Sequence, residues 1–286
     1  MPHIAAKDRT RLYLEEAGQG SAIVFVHEYA ADYRTWEPQL RHFSRAHRCV
    51  TYSQRGYPPS DIPTDPNKYS QDLARDDVIA VMDALNIDKA HIVGHSMGAA
   101  HALHVGIHYP ERCLSVTAAG CGYGSSPDPK VVEATRQQSR DVARMFETED
   151  WKVAAAKYAD GAVRQTHKNK DPRGWSEFAA MLAEHSAVGH ALTMSNLQAK
   201  RPTLWDMEAG LKAFKPPLLI IVGDEDDWCV DGSIYLKRTV PTAGLQVIPR
   251  SGHTITSEEP AVFNAALAEL IAASEAGRWM SHKPAR

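Results

Sequence analysis

The chain has 286 residues, 43% of them hydrophobic and 23% charged, an ordinary globular composition with enough length to bury a large α/β core. A formal net charge of −3 without a basic block argues against nucleic acid, and the longest apolar runs, about six residues, are far short of a membrane span. The start, MPHIAAKDRT, lacks the apolar stretch of a signal peptide, so a cytoplasmic protein is expected; four scattered cysteines without a CxxC predict buried reduced thiols.

Taken in chain order, RLYLEE (11–16) alternates and predicts an antiparallel edge strand. Six short apolar runs follow: AIVFV (22–26), CVTY (49–52), HIVG (91–94), CLSVTAAG (113–120), LLIIVG (218–223) and LQVIP (245–249). Each is rich in β-branched residues and ends at a turn signal. They do not alternate apolar with polar, so both faces are expected to be covered, as in a parallel sheet between helical layers. Val78, Val81, Met82 and Leu85 predict a helix, as do Phe263, Ala266, Leu267 and Leu270 after a cap at Ser257. The alternation of strand and helix predicts a doubly wound α/β sheet. It breaks between about residues 123 and 213, where the pattern is helical throughout. That block is expected to form a helical cap (123–212) over a core built from 1–122 and 213–286. The basic end, GRWMSHKPAR, reads as a loose tail.

The strongest motif is G-x-S-x-G at Gly94-His95-Ser96-Met97-Gly98, directly after a strand and directly before a helix. In that context it describes a sharp turn that exposes the Ser96 hydroxyl beside a helix N-terminus. Serine is a poor nucleophile near neutral pH and needs a base with an orienting group. SGHTITSEEP places His253 in a late loop, and IVGDEDDWC places carboxylates just after a strand. Three other histidines, His101, His104 and His108, form a helical stripe without a carboxylate to complete a metal set, and packing is the reading favoured for them.

Ser96, the GDED loop and the SGH loop resemble the alpha/beta-hydrolase superfamily, most closely its capped esterase and C–C hydrolase branch, over nearly the whole chain. The resemblance implies an alpha/beta-hydrolase fold, with a mostly parallel sheet, helices on both faces and the helical cap. It selects Asp226 through G-x-x-D, with Asp227 second, to orient His253. It also implies two N–H donors for the developing oxyanion, from Met97 and from Tyr29 in the loop after AIVFV. Where the family usually has His-Gly-x, this chain has His27-Glu28-Tyr29; Trp36 matches a tryptophan common in the family. Glu28 is expected to be structural, with Arg55 of YSQRGYPPSD as its candidate partner, although a contact with substrate is also open. Zinc binding by H-E-x-x-H is excluded because position 31 is Ala31.

The implied activity is cleavage of a carboxylic ester, or related acyl bond, of a small-to-medium and mostly apolar substrate, requiring no metal and no cofactor. Pocket candidates are His27, Glu28, His95, Trp151, Trp175, His185, Met194 and Trp205. The expected partner is a small-molecule substrate, with a homodimer left open. Hydrolysis of a C–C bond in a ring-cleavage product, cofactor-free oxygenation and a non-catalytic ligand sensor are the alternatives on the same fold.

Overall fold

The computed structural model describes residues 3–281. Its strands are β1 (His3–Ala5), β2 (Arg11–Ala17), β3 (Ala22–Val26), β4 (Arg48–Tyr52), β5 (Ala90–His95), β6 (Cys113–Ala119), β7 (Leu218–Gly223) and β8 (Ala243–Ile248). They form one sheet in the order β1-β2-β4-β3-β5-β6-β7-β8. Every pair from β4 to β8 is parallel, while β2 is antiparallel to both β1 and β4. RLYLEE is thus antiparallel as expected but is not the edge. The outer position belongs to β1, whose three residues are too short to carry a pattern.

The lack of alternation in the runs has the expected cause. In β3, Val24 and Val26 face one core with Val78, Val81, Leu103 and Leu236, while Ile23 and Phe25 face another with Trp36, Phe43, Phe263 and Leu267. The first core is covered by α2 (Gln71–Ala84) and α3 (Met97–His108), the second by α1 (Glu37–Phe43). Ser70 begins α2 by accepting a hydrogen bond from the Leu73 N–H, an ordinary N-cap.

The helical block comprises α4 (Pro129–Thr148), α5 (Trp151–Ala159), α6 (Gln165–Lys170), α7 (Pro172–Ala183), α8 (Ala187–Leu192), a π turn (Thr193–Gln198) and α9 (Glu208–Lys212). Its own core, with Phe146, Phe178, Leu182 and Leu197, is continuous with Tyr29, Ala30 and Ala31 from the loop after β3 and with Met97 at the start of α3. The block therefore rests over the C-terminal ends of the parallel strands. Its last part does not: Leu204, Leu211 and Phe214 join the core under α2 and α3.

The chain closes with α10 (Asp227–Thr239), α11 (Ile255–Glu258) and α12 (Pro260–Glu275). Ser257 lies inside α11, and Pro260 opens α12, so the expected cap at Ser257 is corrected. Among the described residues no helix is long and apolar enough to cross a membrane. All four cysteines are free, and Cys49, Cys121 and Cys229 are buried.

Candidate active site

Ser96 sits between β5 and α3 with φ 52° and ψ −109°, a backbone conformation that L side chains rarely adopt. The turn is held by its N–H, which donates to Ala119 O at 2.7 Å. Gly94 and Gly98 are required by close approach: an added Cβ would lie 2.1 Å from Gly98 O in the first case and 2.1 Å from Val26 O in the second. The Ser96 side chain makes no capping hydrogen bond to its helix, which leaves the hydroxyl for another partner.

That partner is His253. Its Nε2 lies 2.8 Å from Ser96 Oγ, and its Nδ1 lies 2.8 Å from Asp226 Oδ2. With Nδ1–H donating to the carboxylate, Nε2 is left to accept from the hydroxyl. The loop that carries His253 is tied down by Glu258, which accepts from the N–H of Gly252 (2.7 Å) and of Thr254 (3.1 Å) and from the Thr254 hydroxyl (2.7 Å). The three other carboxylates of DEDD lie apart from the imidazole. Asp224 takes the Ser251 N–H at 3.3 Å, Glu225 takes the Thr166 hydroxyl at 3.0 Å, and Asp227 is exposed at the start of α10.

Burial opposes a charge on His253, but the Asp226 carboxylate, and then Glu28, outweigh it and raise its pKa above the ordinary 6.5. Burial likewise opposes the charge of Asp226, and the imidazole beside it wins, lowering its pKa.

Glu28 is neutralised from the helical block. Arg164 Nη1 and Nη2 donate to its two carboxylate oxygens at 2.8 and 2.7 Å, and the side chains are 1% and 6% exposed. Burial opposes ionisation of Glu28, but Arg164, with His95 second, prevails and holds its pKa at about 2. Arg55 is therefore not the partner. It is engaged by Asp77, at 2.7 and 2.6 Å, and by Asp8 at 3.0 Å.

The loop before Glu28 is fixed by His27. Its Nε2 accepts from the Gln54 N–H at 3.0 Å, its Nδ1 lies 2.7 Å from Glu28 O, and Gln54 Nε2 donates to His27 O at 2.7 Å. Gln54 thus holds the His27 loop through both its backbone and its side chain. His95 spans two parts of the site, with Nε2 2.7 Å from His253 O and Nδ1 3.8 Å from Glu28 Oε1.

Above Ser96 lies a cavity of about 320 Å³. Ser96, His253, Glu28, Tyr29 and Met194 line it, with Tyr123, Tyr158, Val142, Met145 and Trp228. Six of the expected pocket residues are elsewhere. His27 and His95 lie beneath the lining in the contacts just described. Trp151 Nε1 donates to Ala183 O (3.0 Å) and Trp175 Nε1 to Ala159 O (2.8 Å), both within the helical block. His185 bonds Asp32 at 3.0 Å, and Trp205 stacks on Tyr235 with centroids 4.1 Å apart. An aromatic at helical spacing is core by default, and these side chains follow that rule. Tyr123, in the turn after β6, and Trp228, at the start of α10 shortly after β7, do line the cavity; both follow closely on strand ends, a placement that the sequence already offered as a signal.

Among the described residues two groups have metal-ligand spacing, Glu28–His95–His253 and Asp226–Cys229–His253. In both, the donors of His253 are engaged by Ser96 and Asp226, and in the first Glu28 is engaged by Arg164. In the histidine stripe of α3, His101 Nδ1 lies 2.8 Å from Gln71 Nε2, and His104 stacks on His108.

A doubly wound sheet with a serine, an imidazole and a carboxylate hydrogen-bonded in series at its strand ends defines a hydrolase of the α/β type. The chain belongs to the alpha/beta hydrolase fold family, whose model matches residues 21–260. It is 30% identical over 256 residues to 3-oxoadipate enol-lactonase 1 of Acinetobacter baylyi, covering 85% of each chain. It is 27% identical over 282 residues to 2-hydroxy-6-oxo-6-phenylhexa-2,4-dienoate hydrolase of Burkholderia cepacia, covering 92% of this chain and 91% of the other. A thermophilic esterase from Thermogutta terrifontis has the same fold, with a TM-score of 0.82 at 22% identity over 95% of this chain and 98% of that one.

Proposed function

We propose that the protein is a serine hydrolase that cleaves a carboxylic ester, linear or cyclic, of a small-to-medium substrate. One observation carries the reading: the unbroken series Ser96 Oγ–His253 Nε2 and His253 Nδ1–Asp226 Oδ2, at 2.8 Å each, opening on a cavity of about 320 Å³. The volume is near the lower end for small-molecule sites, which are about 300–1,000 Å³.

In the proposed reaction His253 takes the Ser96 proton as Oγ bonds to the acyl carbon. Asp226 stabilises the imidazolium that forms and keeps the ring in its tautomer. The imidazolium then protonates the departing alkoxide, leaving an acyl-serine. Water, deprotonated by the same base, cleaves the acyl-serine and restores the hydroxyl. Two N–H groups, of Tyr29 and Met97, are assigned to the oxyanion. In support, Met97 is the first residue of α3, where an N–H has no acceptor in its own helix, and it shares a packed cluster with Tyr29. Arg164 matters here as well. A free Glu28 carboxylate next to that oxygen would oppose the charge, and the ion pair cancels it.

A panel of p-nitrophenyl esters of increasing acyl length, with simple lactones beside them, tests the reading. Turnover is expected for short acyl groups, falling as the chain outgrows the cavity. Absorbance loss with a vinylogous diketone, without any ester or lactone turnover, would move the assignment to the C–C hydrolysis named for the Burkholderia cepacia relative.

A pH profile supplies a second check. The base must be neutral, and its pKa is raised above the ordinary 6.5. The acidic limb of kcat/KM is therefore expected to titrate above that value, with activity gained as pH rises through it. A limb at or below 6.5 would show that His253 is not the group being read.

A further inference from the structure

The cavity over Ser96 is basic. Arg136, Lys157, Arg164 and Arg201 line it against a single carboxylate, Glu28. Arg164 consumes that carboxylate, and Lys157 is paired with Glu149 at 2.6 Å. Arg136, on α4, has no carboxylate within ion-pair distance among the described residues, but it does not line the smaller cavity that Ser96 and Arg201 share.

Arg201 meets both conditions. Among the described residues no carboxylate lies within ion-pair distance of it; its guanidinium makes one protein hydrogen bond, Nη2 to Tyr123 O at 2.7 Å. Arg201 and Ser96 line both the main cavity and a small adjoining one with Gly120 and Cys121, so the cation and the nucleophile share one floor. Arg201 is partly exposed, and desolvation lowers the pKa of its guanidinium from the ordinary value. The backbone around Arg201 is tied down. Its N–H donates to Leu197 O at 2.8 Å at the end of the π turn, and three residues on, the Leu204 N–H donates to Ser125 Oγ at 3.1 Å.

A cation held partly out of water beside a cavity, without a counter-ion, is a ready site for an anion. A fork of N–H donors fixed in that state matches a planar carboxylate. We infer that Arg201 binds a carboxylate on the substrate, and that the natural substrate is an anionic ester or lactone rather than the mostly uncharged one expected from the apolar composition of the helical block. The inference rests on the hydrolase reading for the bond that is broken, and on Arg201 alone for the group that is bound.

The kinetic test compares ethyl hydrogen glutarate with its methyl-ketone counterpart in the wild type, Arg201→Met and Arg201→Lys. The expected wild-type preference for the half-ester in kcat/KM is about 10–100-fold, expressed in KM. It is expected to vanish in Arg201→Met and to return in part in Arg201→Lys, which keeps the charge but not the fork. A binding test by calorimetry uses glutarate and inorganic phosphate with the same proteins, so the inference is judged even where no ester is turned over. Glutarate binding that is lost in Arg201→Met supports it. A half-ester no better than the ketone, glutarate affinity unchanged in both variants, or binding of phosphate in preference to glutarate overturns it. The melting temperature of Arg201→Met gives an independent readout: it is expected to change little, and a marked fall would mean that the charge has a partner within the protein, which overturns the inference.

Discussion

Ser96→Ala is expected to lower kcat on any ester that the wild type turns over by about 10⁶-fold, leaving the fold intact. The size of the effect follows from the arrangement. Removing Oγ takes away both the nucleophile and the proton that His253, 2.8 Å away, is placed to receive. What survives is the residual catalysis that polar donors near the reacting carbonyl supply to direct attack by water. Stability is not expected to change, because the Ser96 hydroxyl caps nothing in α3 and alanine at φ 52° bears the same strain as serine. Single-turnover kinetics with a p-nitrophenyl ester, alongside a melting curve, separates the two quantities. Undiminished turnover would place the chemistry on another group and sink the proposed mechanism.

The second large effect concerns Glu28. Glu28→Gln leaves the Arg164 guanidinium buried without its counter-ion, and breaking such a pair from one side costs about 3–5 kcal/mol. For a chain of this length that corresponds to a fall in melting temperature of roughly 5–10 °C. Replacing both partners, as in Glu28→Leu with Arg164→Met, is expected to recover most of the loss, because two desolvated charges then disappear together. A double variant as unstable as the single would show that the loop needs the carboxylate itself. The pH dependence has a definite sign. Glu28 is held at about 2, below its ordinary 4.5, so its contribution is complete above 4.5 and is lost only as pH falls towards 2.

Much of this was legible before any coordinates. Runs such as AIVFV announced a sheet covered on both sides because neither face of a central parallel strand meets water. Ser96 was legible because the turn at its place needs glycine at 94 and 98, a constraint that leaves a mark in the sequence. Asp226 rested on spacing and on resemblance together. The helical block was less legible. Trp151, Trp175 and Trp205 could be seen to want burial, but which of them would reach the cavity depends on how the helices lie against one another, and periodicity is silent on that. The two arginines that set the site's electrostatics were missed altogether. Arg164 and Arg201 stand in polar helical sequence, where a basic residue reads as solvated. Only tertiary packing turns one into a partner for Glu28 and leaves the other over Ser96.

The Glu28–Arg164 pair also bears on how molecules reach the serine. It fastens the strand-end loop to the turn before α6, and parting it would strand two charges in apolar surroundings. At about 3–5 kcal/mol, a state with that side lifted would be populated by roughly one molecule in 10²–10⁴. At the opposite margin the described residues make hydrogen bonds rather than a buried ion pair, with the Tyr123 hydroxyl donating to Gln138 Oε1 at 2.9 Å and Arg201 Nη2 to Tyr123 O at 2.7 Å, and there Trp228 lies 53% exposed beside Tyr123, its ring 5.6 Å away. Entry to the cavity is therefore expected not past the Arg164 fastening but past Trp228, which lines it. Variation in the size of that one side chain should set the rate of admission without touching the chemistry.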